Sequence, residues 1–387
     1  MNLECSTRTR SFRGGPVTGS DEAAEAVRTG QAWSEFCRAL EKAGDVVLSD
    51  NTPNTAFDRA EGFRYLTRLT REMLYSCVDN ADPDQPRLHE LDLVKIGADN
   101  PDNVYLSANI RGDREYRITG ERGTISYFSI GSKANRYAKD GTMASTGELS
   151  DADLVPEPDG SIEIIASATR QGRNWLPLAP DSTGLVVRQT YLDRTTETPG
   201  KWQIQRIGEP DRAEPLDPTF LLGALRRAAL AVHGTAATFA GWTDMFAERP
   251  NELVDFGQEM FQRAGGDPEI CYLHGYWQLE PGQAWVIDTD VPPCPYWNFQ
   301  LDNWWMESLD QRRRITVNKH TARLDADGRL RIVVADRDPG VGNWIDTCGH
   351  DRGTALLRWL GAEQHPIPTC RVVPLDSLDD LHDEEDR

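Results

Sequence analysis

Asp159-Gly160-Ser161-Ile162-Glu163-Ile164-Ile165, followed by Gly172-Arg173-Asn174-Trp175-Leu176, returns downstream as Asp327-Gly328-Arg329-Leu330-Arg331-Ile332-Val333 followed by Val341-Gly342-Asn343-Trp344-Ile345. The correspondence extends outward. Asn100-Pro101-Asp102 before Tyr105-Leu106 matches Asp267-Pro268-Glu269 before Tyr272-Leu273, and Leu185-Val186-Val187-Arg188 answers Ala355-Leu356-Leu357-Arg358. The chain therefore carries two copies of one unit, at 97–208 and 265–375. Each copy has the length of a domain, not of a solenoid repeat, so the duplicated object is a folding unit. Function is then to be sought in how the copies differ.

The 387 residues, 39% of them hydrophobic, suffice for substantial cores. A net charge of −20 disfavours nonspecific contact with nucleic acid or an anionic membrane, both of which need a surplus of Lys and Arg on some face. Seven scattered cysteines without a C-x-x-C pair argue against a disulfide framework or structural zinc and for a reducing compartment. The start of the chain lacks the apolar stretch of a signal peptide, and no long apolar run occurs, so a cytoplasmic location is expected. A polar arm is expected at 1–20 and a solvated acidic tail at 376–387.

Trp33, Phe36, Cys37, Leu40 and Ala43 fall at helical spacing and predict a helix capped at Gly44. Phe63, Leu66, Leu69, Met73 and Cys77 predict a second, so 21–96 reads as helical. Short apolar runs bounded by turn residues then predict strands at 104–110, 116–118, 125–130, 162–166, 185–192 and 202–207. Asp217-Pro218 offers an N-cap and first helical position for a helical segment at 209–264, with further helix around 242–261. The second copy repeats the strand texture at 272–279, 284–287, 296–301, 315–317, 330–334, 356–360 and 371–373. The fold class is α+β, with two duplicated jelly-roll-like β-sandwich units, each preceded by α-helices.

Asn318-Lys319-His320-Thr321, the run Ala335-Asp336-Arg337-Asp338-Pro339-Gly340-Val341-Gly342-Asn343-Trp344, and Arg371-Val372-Val373 resemble the bacterial DUF1214 family, often found with a related DUF1254 domain. The resemblance is clearest over 272–375, and the first copy looks like a more distant version. It implies a jelly-roll sandwich and no particular activity.

The Asp-Gly pairs could begin calcium loops, but the remaining ligands are missing and a tight hairpin is the preferred reading. The Asn-Trp pairs occur in both copies and read as structure: a Trp core anchor beside an Asn that satisfies turn backbone. The second copy differs by its wealth of Trp and His, including His274 where the first has Ser107. Strand alternation puts His274 on one face with Tyr272 and Tyr276, which would line a pocket or enclose a histidine in an aromatic core. His274, His320 and His350 could converge on a metal, although no close His spacing supports it, and no metal is expected. A Cys348–His350 thiol pair is weak because the two are too close in sequence.

The expected function is a cofactor-independent enzyme acting on a hydrophobic small metabolite, a terpenoid, steroid or lipid-like compound, as a lyase, isomerase or hydrolase. His274, His320, Asp336 and Asp338 would move protons, the two Asp residues being equally readable as turn formers before Pro339-Gly340. Tyr276, Trp297, Trp304, Trp305 and Glu307 would hold the substrate in a cavity of the second unit. The alternative is a noncatalytic ligand-binding or scaffold protein using the aromatic patch. No nucleotide motif appears, no nucleic-acid or membrane partner is expected, and a homo-oligomer is compatible with the sequence.

Overall fold

A computed structural model describes residues 19–91, 94–136, 142–208 and 215–378. The expected polar arm lies outside the described residues up to 18, and the acidic tail from 379 onward. Strands β1 (His89–Glu90), β2 (Asn103–Asn109), β3 (Tyr116–Gly123), β4 (Tyr127–Asn135), β5 (Met143–Ser150), β6 (Ile162–Ser167), β7 (Asn174–Pro177), β8 (Gly184–Thr190) and β9 (Pro199–Arg206) build the first unit. Strands β10 (Glu252–Val254), β11 (Ile270–Gln278), β12 (Gln283–Thr289), β13 (Tyr296–Leu301), β14 (Thr316–Asn318), β15 (Leu330–Ala335), β16 (Trp344–Asp346), β17 (Arg352–Leu360) and β18 (Thr369–Pro374) build the second.

The sheets run β1-β2-β8-β4-β5 and β7-β6-β3-β9 in the first unit, and β10-β11-β17-β13-β14 and β16-β15-β12-β18 in the second. Strand for strand the second order repeats the first, which is the duplication read from the repeated phrase. The first strand of each unit, β1 and β10, lies upstream of the expected starts at 97 and 265.

The repeated Asn-Trp does the same work twice. Asn174 Nδ2 donates to Val155 O and Glu163 O at 3.0 and 2.8 Å, and its Oδ1 accepts from Val155 N at 2.8 Å. Asn343 Nδ2 donates to Arg323 O and Arg331 O at 2.7 and 2.8 Å, and its Oδ1 accepts from Arg323 N at 2.8 Å. Each amide thus ties an incoming loop to the β6 or β15 edge, satisfying backbone groups that would otherwise be buried unpaired. The indoles donate to the last carbonyl of the neighbouring strand, Trp175 to Ser167 O and Trp344 to Ala335 O, both at 3.1 Å. The expected core anchor is corrected here: the asparagines are buried, while both indoles stay half-exposed. Gly160 and Gly328, at φ 88° and 83°, close the turns before β6 and β15, where a side chain would be strained.

Helices α1 (Gly19–Arg28), α2 (Gln31–Val47), α3 (Ala56–Leu74), α4 (Pro218–Ala247) and α5 (Gln258–Arg263) complete the chain, α3 continuing as a π-turn over Tyr75–Asp79. Asp217 caps α4 through Thr219 N, as its Asp-Pro start predicts. Gly44 does not stop α2, which runs on to Val47, and Trp33 is 60% exposed instead of facing a core. The helix expected around 242–261 is broken by β10, which pairs with β11 through Leu253 and Gly275. The preceding helix has already ended at Ala247, and Pro250 could not continue it, since a helix cannot absorb its missing N–H.

Two cores fill the sandwiches. The first is built on Tyr116, Phe128, Leu185 and Val187, the second on Trp277, Trp285, Trp297, Phe299 and Trp359. A third core joins the helices to the outer face of β11 and β17, through Tyr65, Leu69, Phe239, Phe246, Tyr272, Tyr276, Trp305 and Leu356.

A reciprocal arginine exchange joins the two units. Arg188 on β8 and Arg358 on β17 hold equivalent positions, opposite Ser129 and Asn298. Arg188 Nη2 crosses to Gly265 O of the second unit at 2.9 Å, and Arg358 Nη2 crosses to Ala98 O of the first. Each receiving turn is held by an equivalent tyrosine: Tyr105 OH accepts from Asn100 N at 3.1 Å and Tyr272 OH from Asp267 N at 2.8 Å. Arg358 is 4% exposed and also donates to Asn298 and Gln300. Its removal strands several buried acceptors at about 1–3 kcal/mol each. Arg358→Ala should therefore lower unfolding free energy by about 3 kcal/mol or more in urea titration, whereas the exposed Asp338→Ala should change it by less than about 0.5 kcal/mol.

Candidate functional site

Strand β4 carries a charged residue, Lys133, in a run that is otherwise small or apolar and almost wholly buried. It pairs with β5 through a register shift between Ser132 and Lys133, so that Ser132 faces Gly147 while Lys133 faces Ser145. The shift leaves Thr146 as the extra residue. Ser145 and Glu148, three apart, would alternate to opposite faces of a regular strand; the bulge puts both beside Lys133. Gly131 leaves the space for this, because a Cβ there would sit 2.3 Å from Glu148 Oε2.

Lys133 is 3% exposed. Its Nζ lies 3.2 Å from Glu148 Oε2 and 3.3 Å from Ser145 Oγ, and Ser145 Oγ is itself 3.3 Å from Glu148 Oε2. Arg188 Nη1 holds the other carboxylate oxygen of Glu148 at 3.1 Å and lies 3.7 Å from Asp267 Oδ2, which also accepts from Ser129 Oγ at 3.1 Å. Burial depresses the Lys133 ammonium below its ordinary range, and the neighbouring Arg188 adds to this against the pull of Glu148.

A cleft of about 410 Å³ opens above this cluster, between the β4–β5 hairpin and the second unit. Exposed Ser145 lines it with Arg136 and Ala144 on one wall, and Glu259, Gln262 and Arg263 of α5 on the other. A buried lysine with a perturbed proton affinity, joined to an exposed hydroxyl in a cleft, is the arrangement that proton transfer requires.

The equivalent place in the second unit is sealed. Gln300 stands where the first unit has Gly131, and Asp302 where it has Lys133. Gln300 donates to Asp99 O at 2.9 Å and to Asp302 Oδ1 at 2.6 Å. Tyr296 OH donates to Asp102 Oδ2 at 2.8 Å, and Asn318 Nδ2 donates to the same oxygen at 3.0 Å. All of these side chains are buried. Burial lifts Asp302 to about 7 despite the Gln300 bond.

The four residues expected to move protons in the second unit are not brought together. His274 lies 2% exposed among Phe246, Phe261 and Tyr272, with ring centroids 4.8, 4.4 and 6.4 Å away, and its Nδ1 has no hydrogen-bond partner. Burial and the charge of Arg358 drive its proton affinity far down, so it is a neutral core histidine. His320 is exposed, with its Nε2 3.8 Å from Asp193 Oδ2. Asp336 and Asp338 are exposed in the loop after β15, where Asp338 Oδ1 accepts from Gly340 N at 2.8 Å as a turn former. Trp297 faces the sandwich core, whereas Tyr276, Trp304 and Trp305 belong to the core under the helices.

Glu307 is buried against Arg68 of α3, and Asn303 bridges it to Glu61. Glu61 Oε2 in turn meets His350 Nε2 at 2.7 Å, while His350 Nδ1 meets Thr347 O at 2.9 Å. Burial opposes the charged form of His350, but Glu61 outweighs it and raises the imidazole's proton affinity. Both ring nitrogens are committed, and the pair acts as a latch between α3 and the second unit. Among the described residues no group of three His, Cys, Asp or Glu side chains is placed to hold a metal ion, and no helix is long and apolar enough to cross a membrane.

The sequence reading missed Lys133, Ser145 and Glu148. Two signals were available: a lysine in a strand of small and apolar residues, and the Arg that both copies keep at 188 and 358.

The model of the DUF1214 family, proteins of unknown function, matches residues 106–191. This is the first unit, with Lys133, Ser145, Glu148 and Arg188 inside it, and not the stretch over 272–375 where the resemblance reads most clearly. A crystal structure of an uncharacterized protein from Burkholderia cenocepacia is 46% identical, with a TM-score of 0.89 over 92% of this chain and 100% of that one. A crystal structure of a Vibrio parahaemolyticus protein is 12% identical, with a TM-score of 0.46 over 85% of this chain and 100% of that one. No curated protein matches.

Two measurements check the electrostatics. Because the folded value of Asp302, about 7, exceeds the ordinary 3.8, its contribution to stability is greatest below pH 4 and is lost as pH rises to 7. Asp302→Asn should raise the melting temperature at pH 8 and leave it nearly unchanged at pH 4. For His274 the folded value is depressed, so its contribution is present above pH 6.5 and lost as pH falls below it. His274→Ala should cost about 2–4 kcal/mol at pH 7.5 through the cavity it leaves, and ring NMR shifts of His274 should show no protonation down to pH 5.

Proposed function

We propose that this chain, whose first unit matches the DUF1214 family of unknown function, is an enzyme that works by acid/base chemistry in the cleft between its two units. The proton-transfer centre is Lys133 with Glu148, not the histidines of the second unit. One observation carries the reading: a lysine 3% exposed, with Ser145 and Glu148 as its partners, lies beneath a cleft at the place its duplicate seals with Gln300 and Asp302. A structural ion pair would have served as well in both copies. Retaining a desolvated ammonium in only the open one costs stability, and a chemical task is the gain that offsets it.

The reaction class is proton abstraction from, or proton donation to, a small metabolite in which Lys133 alternates between ammonium and amine and Glu148 holds it in place. Arg136, Ser145, Glu259, Gln262 and Arg263 place charged and hydrogen-bonding groups in the cleft wall, which suits a substrate with polar groups better than the wholly lipid-like body expected from the aromatic residues. The step uses side chains alone and calls for no nucleotide.

Incubation of the purified protein with a bacterial metabolite extract, followed by mass spectrometry, tests this. Wild-type protein should deplete one polar metabolite, and Lys133→Met and Glu148→Gln should slow its depletion at least 100-fold. Lys133→Met removes one partner of a buried pair and should lower the melting temperature, but only modestly because Arg188 still holds Glu148, so the variant should remain folded by circular dichroism. Binding without turnover would overturn the enzyme reading in favour of a noncatalytic ligand-binding protein.

A further inference from the structure

The bulge of β5 does more than bury a lysine, because it also presents a hydroxyl. Ser145 is exposed to the cleft, and its Oγ stands 3.3 Å from Lys133 Nζ and 3.3 Å from Glu148 Oε2. A serine hydroxyl is a weak nucleophile until a neighbouring base takes its proton as it attacks. Lys133 is that neighbour, and Glu148, itself clamped by Arg188 at 3.1 Å, fixes the ammonium against the hydroxyl. The geometry points to Ser145 as the nucleophile of an acyl-transfer reaction on small polar esters or amides, with Lys133 as its general base and Glu148 as a positioning residue. This rests on the proton-transfer reading of the same cleft and adds a covalent intermediate to it.

The step balances without a co-reactant other than water. The Ser145 Oγ–H proton passes to the neutral Lys133 amine while Oγ bonds to the acyl carbon. The bond from that carbon to the alcohol or amine breaks, and the leaving atom takes the proton back from Lys133. Water then gives its proton to Lys133 and attacks the Ser145 ester; the acid departs and Oγ recovers the proton. The net change is hydrolysis to a carboxylic acid and an alcohol or amine. The 3.3 Å separations suit a resting site, which tightens when substrate displaces solvent.

The three side chains arise from two adjacent strands and a register shift, so the arrangement depends on the bulge. With Thr146 kept in a regular ladder instead, Ser145 and Glu148 would point to opposite faces and could not both meet Lys133.

The test is covalent labelling of the full chain with a fluorophosphonate, read by intact mass and peptide mapping. Wild-type protein should take up one phosphonyl group, on Ser145, at a rate that rises with pH as Lys133 loses its proton. Ser145→Ala, folded by circular dichroism, should take up none, and Lys133→Met should label at least 10-fold more slowly. A wild-type protein that is not labelled, or an adduct that persists in Ser145→Ala, would overturn the nucleophile. Metabolite depletion separates the two ideas. Depletion that survives Ser145→Ala yet falls in Lys133→Met removes the covalent step and leaves the proton-transfer centre standing; depletion unaffected by Lys133→Met removes both.

Discussion

The exchange of Arg188 and Arg358 between the two units is the constraint on which the rest of the molecule depends. Each guanidinium leaves its own sheet to bind the backbone turn that opens the other unit, at Gly265 and at Ala98. Each carbonyl helps to satisfy a buried guanidinium, and each guanidinium supplies a donor to a carbonyl of the other unit's opening turn. The two sandwiches are thereby fixed in one mutual orientation, and the cleft and the sealed half follow as its two sides.

Duplication supplied two equivalent half-interfaces, and divergence at a few positions made them different. In the second unit, Asn298 and Gln300 surround Arg358 with neutral amides and fill the space that Gly131 leaves open in the first. In the first unit that space admits the carboxylate of Glu148, which brings Arg188 and Lys133 into one charged cluster beneath solvent. One side therefore became packing and the other an electrostatically tense opening. The helices reinforce the asymmetry, since they cover the second unit's outer sheet and draw Glu307 and His350 into contact with Arg68 and Glu61 of α3.

The duplication and the strand texture were legible because they are local. Asp-Gly needs a left-handed turn, and Asn-Trp ties a loop to a strand edge by bonds within one unit, so the same residues recur wherever the same turn recurs. The aromatic wealth of the second unit was also legible, but its meaning was not. An indole in a core and an indole in a pocket have the same spacing, and only coordinates show Trp297 facing the sandwich while Trp304 and Trp305 face the helices. His274 was correctly set on a face with Tyr272 and Tyr276. The helix contributing Phe246 and the one contributing Phe261 turned that face into a core.

By itself the sequence determined that one β-sandwich had been copied, where its repeated turns lie and most of its strands, though not β1, β5, β7, β10 or β16, since hydrophobic alternation and turn chemistry act over a few residues. Only the tertiary structure decided where the chemistry sits. Lys133, Ser145, Glu148 and Arg188 owe their meeting to a register shift and to a contact between units, and neither leaves a periodicity in the chain. A side chain's burial, and with it its hold on a proton, is set by neighbours distant in sequence, whose approach the linear order does not encode.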